Sequence, residues 1–157
     1  MTINDKVFGT LDYNYVWGRE DLQINFLGKT ICIGLTVSGE EDGVFDEEQY
    51  LAYTSLMDKW EGLHPKFIPE ILDYYKTERR ELGYEKQQNE NYPLIETPEE
   101  MIKHIELVGI NVLYHGVLGG RRAIGIAFDC SWDEENALGI LLVDEEIHEI
   151  GYQDVAC

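Results

Sequence analysis

The chain has 157 residues, 44% of them hydrophobic, with five Phe, ten Tyr and three Trp; this suffices for one sizeable core and excludes wholesale disorder. Thirty-one acids against twelve bases give a formal charge of −19, a field that repels nucleic acid and anionic membranes and speeds encounter with basic proteins. No apolar run approaches the ~20 residues of a membrane-spanning helix, and the start Met1–Asp5 carries neither the basic nor the apolar region of a secretory signal.

The first 37 residues read as β. Val7–Tyr13 is a strand, and Trp17–Glu20 supplies a turn. Leu22, Ile24 and Phe26 then alternate with polar residues, and Ile31, Ile33, Leu35 and Val37 do the same after a turn at Leu27–Lys29. Period-two alternation marks half-buried strands, and an antiparallel meander joins them most economically. After a polar loop, Asp46 caps a helix, with Glu47 and Glu48 in its first turn and Gln49 at the reciprocal capping position. Tyr53, Met57 and Trp60 lie at helical spacing, and Gly62–Pro65 interrupts the helix. A second helix shows Ile68, Ile71, Leu72 and Tyr75 as its apolar stripe, with Pro69 in its first turn.

Gly83–Tyr92 reads as a loop, and Thr97-Pro98-Glu99-Glu100 as a helix start, with Ile105 and Val108 on that helix's buried side. The last third returns to β. Ile124, Ile126 and Phe128 alternate with Ala123, Gly125 and Ala127, small residues that let another element approach closely. Leu138–Val143 and Ile147–Tyr152 form a hairpin around Asp144-Glu145-Glu146. The expected fold class is α+β, one domain over 1–157: an antiparallel sheet built from the N- and C-terminal segments, with the central helices packed on one face.

Cys32, Cys130 and Cys157 are odd in number and far apart, which favours reduced thiols and a cytoplasmic location over a disulfide framework. Cys32 and Cys130 lie within strand patterns and are expected to be buried. From Asp129 to Asp154 there are nine acids and no Lys or Arg. Asp129, Asp133, Glu134 and Glu135 suggest a hard cation, but the EF-hand spacing is absent and a solvated turn explains them; no metal and no cofactor are expected. A glycosidase-like pair of carboxylates has no cleft signal in support. His64, His104, His115 and His148 have no nucleophile motif beside them, so no catalytic residue is assigned. Gly116–Arg122 is glycine-rich and basic but is not a phosphate loop, and Arg121 and Arg122 are free to pair with the acidic end of the chain. Trp132 is expected at the core edge. Tyr152 reads equally as core edge or as an exposed anchor.

Phe8-Gly9-Thr10-Leu11, the run Trp132-Asp133-Glu134-Glu135-Asn136-Ala137-Leu138-Gly139 and the closing Gly151-Tyr152-Gln153-Asp154 resemble an uncharacterised bacterial domain family. Its members share a W-D-E-E-H-G-x-G run and a terminal G-Y-x-D, and it is similar to small acidic immunity proteins that neutralise toxins. Asn136 and Ala137 stand where the run has His and Gly, which favours a structural or binding role for the segment. The resemblance and the charge together imply a non-catalytic domain that binds a basic protein such as a toxin. The expected contacts are Asp133, Glu134, Glu135, Asp144, Glu145, Glu146 and Tyr152. The alternatives are an enzyme with a carboxylate-lined cleft and a structural domain forming a homodimer through a sheet edge.

Overall fold

The computed structural model describes residues 1–87 and 89–157, with the side chains of all of these except His115 and Val117. Eight strands form one sheet in chain order: β1 (Thr2–Asp5), β2 (Gly9–Tyr13), β3 (Trp17–Phe26), β4 (Lys29–Val37), β5 (Ile105–Val112), β6 (Ala123–Cys130), β7 (Leu138–Val143) and β8 (Glu146–Gly151). All neighbours are antiparallel except β4 and β5, which run parallel from Gly34–Gly109 to Val37–Val112. The sheet is therefore mixed, which corrects the expectation of an antiparallel one. The cause is the connection. Between β4 and β5 come α1 (Glu47–Leu63), α2 (Phe67–Glu81) and α3 (Pro98–Ile102), and a crossover through helices brings the chain back to enter the sheet in the same direction.

The helices begin where capping chemistry places them. The Asp46 N–H donates to Gln49 Oε1 at 2.9 Å, and the Glu100 N–H donates to Thr97 Oγ1 at 3.2 Å. At Gly62–Pro65 the chain does not leave the helix; His64–Lys66 tightens into a 3₁₀ turn that joins α1 to α2. His64 locks that joint. Its Nε2 accepts from the Leu27 N–H at 3.0 Å, leaving Nδ1 to donate to the Trp60 carbonyl at 2.8 Å. Trp60 Nε1 donates to the Asn25 carbonyl at 2.6 Å, and the Phe67 ring meets Phe128 edge-on at 6.4 Å.

The register divides the sheet into two unlike faces. Leu35, Ile110, Ile126 and Ile140 lie in one row, and Val37, Val112, Ile124 and Leu142 in the next. These share one buried cluster with Leu56, Trp60, Phe67, Ile71 and Tyr75. On the opposite face the rows are Thr36, Asn111, Gly125 and Leu141, then Gly34, Gly109, Ala127 and Gly139. The closing 3₁₀ turn, Gln153–Ala156, lies there, with Asn111 Nδ2 donating to the Ala156 carbonyl at 2.7 Å and Gln153 Nε2 to the Phe128 carbonyl at 3.1 Å. A Cβ on Gly125 would stand 1.9 Å from the Ala156 oxygen. The small residues of β6 thus admit the chain's own C-terminal turn.

Several local expectations change. Trp17–Glu20 belongs to β3, and the chain reverses just before it, with Tyr15 at φ 66°. Cys32 is exposed because it alternates with the inward Ile31 and Ile33, whereas Cys130 is buried. Ile105 and Val108 lie in β5, since α3 ends at Ile102. Among the described residues, no helix is long and apolar enough to cross a membrane.

Gly125→Ala must push the C-terminal turn off the sheet and should cost roughly 1–3 kcal/mol. Gly62→Ala has open space around its new Cβ and sits in a helix, so it should stabilise by about 0.5–1 kcal/mol. Chemical denaturation of the two variants checks the pair; equal stabilities would contradict the close approach at Gly125.

Candidate functional site

The expected contact residues fall at opposite ends of β7. At one end Asp144 and Glu145 form the β7–β8 turn, with φ of 50° and 62°. Arg121 Nε lies 3.1 Å from Asp144 Oδ2. Arg122 holds Glu145 with two bonds of 2.9 Å, and Lys59 Nζ adds a third at 3.1 Å. The Glu145 side chain is only 4% exposed. Glu145 is therefore a buried, neutralised acid, which corrects its reading as part of an open acidic surface. Burial pushes its carboxyl up, but the hydrogen bonds from Arg122 and Lys59 outweigh this and hold it below the ordinary range. Asp144 is held low by its hydrogen bond from Arg121, then by the Arg122 N–H. Glu146 stays exposed. The two arginines do pair with the acidic end of the chain, and they remove most of its charge at this turn.

The other end of β7 differs. Asp133 Oδ1 accepts from the Asn136 N–H and Oδ2 from Asn136 Nδ2, both at 3.0 Å, so one carboxylate closes the turn by itself. Glu134 and Glu135 point to solvent. Trp132 is buried with its ring 4.5 Å from Tyr75, a core-edge position. The Gln153 N–H donates to the Asn136 carbonyl at 2.9 Å, which ties the closing segment to this turn. Tyr152 remains 45% exposed beside it.

Helix α2 brings two residues to this end that the sequence reading passed over, Tyr74 and Glu78, one helical turn apart. Burial raises the Tyr74 hydroxyl, and the charges of Glu78 and Asp133 raise it further. Tyr92 is raised by burial, then by Asp133 and Glu78. Glu78 is raised by burial, then by Glu81 and Asp133. Burial lifts the Cys130 thiol to about 11, with Asp133 and Asp129 adding to it. Two tyrosines, a carboxyl and a thiol are thus raised first by burial and then by the charge of Asp133, among others. Among the described residues, Glu78, Asp133, Glu134 and Glu135 form no ion pair. The arrangement is a group of carboxylates without ion pairs, of which Glu78 and Asp133 lie within electrostatic reach of Tyr74 and Tyr92. Such a set can receive a cationic side chain through charge and through aromatic faces.

Other chemistry is thinner. Ser131 Oγ and His104 Nδ1 are 2.7 Å apart on the surface, a pairing the sequence did not suggest. Among the described residues no acid bonds His104 in return, so the pair lacks the orienting group of a nucleophilic triad. The side chain of His115 lies outside the described residues, His64 is engaged in the helix joint, and His148 is exposed on β8. Among the described residues, no three His, Cys, Asp or Glu side chains converge as metal ligands.

These features define an α+β domain with a mixed sheet, carrying an acidic and aromatic patch, without an ion pair among the described residues, where α2 comes beside β8 and the Asp133 turn. The chain belongs to the DUF6985 family, a domain of unknown function whose family model matches residues 7–157. No curated protein and no solved structure matches it.

Two outcomes follow from the electrostatics. Arg122→Met should leave the buried Glu145 carboxylate with Lys59 as its one cationic partner and cost roughly 2 kcal/mol at neutral pH, measurable by denaturant titration. Glu78 acts with the opposite sign. Its folded-state value lies above the ordinary one, so its contribution to stability is present at low pH and is lost as pH rises through that raised value. Glu78→Gln should therefore raise the melting temperature at about pH 7 and leave it unchanged below about pH 4; melting curves across that range check the crossover.

Proposed function

We propose that this domain is a non-catalytic binding module for a basic protein partner, held at the patch of Tyr74, Glu78, Tyr92, Asp133 and Tyr152. The observation that carries this reading is the raised Glu78 carboxyl. It is a half-buried acid whose carboxyl is raised by burial, then by Glu81 and Asp133, and among the described residues neither Glu78 nor Asp133 is in an ion pair. A basic side chain of a partner can bring the charge that these two acids lack among the described residues. Glu134 and Glu135, exposed on the same turn, extend the field outward and would steer the approach. Tyr152 supplies a large, rigid contact with few rotatable bonds.

An immunity-type inhibitor that masks the cationic surface of a toxin is the most specific form of this function, and the bacterial resemblance of the Trp132–Gly139 and Gly151–Asp154 runs supports it. Three free cysteines, two of them exposed, suit a reducing cytoplasm. Nucleic acid and anionic membranes are poor partners for a chain of charge −19.

Affinity capture from the native organism identifies the partner, and association kinetics then test the surface. The reversal Glu134→Lys with Glu135→Lys should slow association about tenfold at low salt and change dissociation little. Tyr152→Ala should instead speed dissociation about tenfold, the effect of ~1.4 kcal/mol. Both variants should fold, since all three side chains are exposed. Kinetics indifferent to salt and to these substitutions would remove the patch from the interface.

A further inference from the structure

The second feature of α2 is on its other flank. Positions 76 and 80 project some 200° away from Glu78 at 100° per residue, and they carry Lys76 and Arg80. Between the flanks lies Arg79, 4% exposed, the only buried cationic side chain among the described residues. A buried guanidinium is ordinarily matched by a carboxylate, because burying a charge without a partner is costly. Among the described residues Arg79 has none. Its Nε donates to the Tyr92 carbonyl at 3.0 Å and its Nη2 to the Gln87 carbonyl at 2.6 Å, and it is in none of the ion pairs there. Those two bonds tether the loop after α2, which explains the burial of the side chain but leaves its charge without an anion.

A cavity of about 320 Å³ opens beside it, lined by Lys76, Arg79 and Arg80. Glu85 and Glu96 also line it, and Leu94 and Ile95 form its apolar wall. Glu85 sits 3.6 Å from Arg80 and so is matched there. Lys76 is in no ion pair among the described residues. Three cations from one helix face thus meet two carboxylates in one concave space, in a chain that elsewhere is overwhelmingly acidic. The volume lies at the small end of ligand pockets.

We propose that this cavity between α2 and the segment Leu94–Glu96 binds a small oxyanion-bearing ligand, a phosphate or a carboxylate, whose charge is met by Arg79 and Lys76. The apolar wall would take the body of the ligand. Arg79 is preorganised for the task, since two carbonyls fix the plane of its guanidinium and leave donors over for an anion. This site is separate from the acidic patch and independent of the partner proposed for it.

Calorimetric titration of the full chain with inorganic phosphate and, separately, with succinate tests the proposal at constant ionic strength. At least one of the two should bind saturably. Lys76→Glu should weaken that binding at least tenfold, while Lys29→Glu, the same charge change at an exposed hairpin turn, should change it less than twofold. Lys76 is exposed, so its substitution tests the charge and spares the loop tether that Arg79→Ala would break. Saturation by phosphate assigns a phosphate-bearing ligand, and saturation by succinate alone assigns a carboxylate. Saturation by neither, or equal weakening in the two lysine variants, overturns the site.

Discussion

The docking of the C-terminal turn onto the glycines of β6 and β7 is the contact on which the candidate site depends. At Gly125 and Gly139 backbone meets backbone, with no room for a Cβ on either strand. Asn111 and Gln153 then satisfy carbonyls that this approach would otherwise leave buried and unpaired. The consequence reaches the surface. Once Gln153 is fixed against Asn136, Tyr152 can only emerge beside the Asp133 turn, and α2 supplies Tyr74 and Glu78 to the same place. A slip of one residue in the closing segment would move Tyr152 to the other side of the chain.

Charge is distributed by the same economy. The bases of the last third, Arg121 and Arg122, go to Asp144 and Glu145, where a tight turn with two left-handed residues needs holding. That end is an internal tie. Asp133 also serves a turn, but it does so through N–H donors on Asn136, with no ion pair among the described residues. Two acidic turns that look alike in sequence therefore have opposite characters. One is neutralised and structural, and the other carries an acid whose charge adds to the effect of burial on Tyr74, Glu78, Tyr92 and Cys130.

Much of the secondary structure was legible because it obeys local rules. The alternation of Ile31, Ile33, Leu35 and Val37, the caps at Asp46 and Thr97, and the small face of Ala123, Gly125 and Ala127 all match the elements formed. The mixed sheet was legible too, in a signal left unused: a strand, a helical stretch and another strand make a crossover, and a crossover favours parallel pairing. Glu145 was misread because three successive acids carry no mark of which one turns inward; the pairing with Lys59 spans 86 positions. Tyr74, Glu78 and Tyr92 were passed over for the same reason. Their proximity to Asp133 arises only from tertiary packing, although the four-residue spacing of Tyr74 and Glu78 on a helix was visible. Cys32 needed no tertiary information, since its alternation with Ile31 and Ile33 already placed it outward.

Helix α2 carries both candidate sites. Its buried stripe, from Ile68 to Arg79, is anchored in the core. Glu78 lies with Tyr74 on one flank, and Lys76 and Arg80 share the other with Asp73. Arg79 lies between them, buried, with no ion pair among the described residues. Charge held this close to the core carries a desolvation cost. The cost is visible in the raised Glu78 carboxyl and in a guanidinium buried against carbonyls alone. Both costs fall at the two places for which a partner and a ligand are proposed.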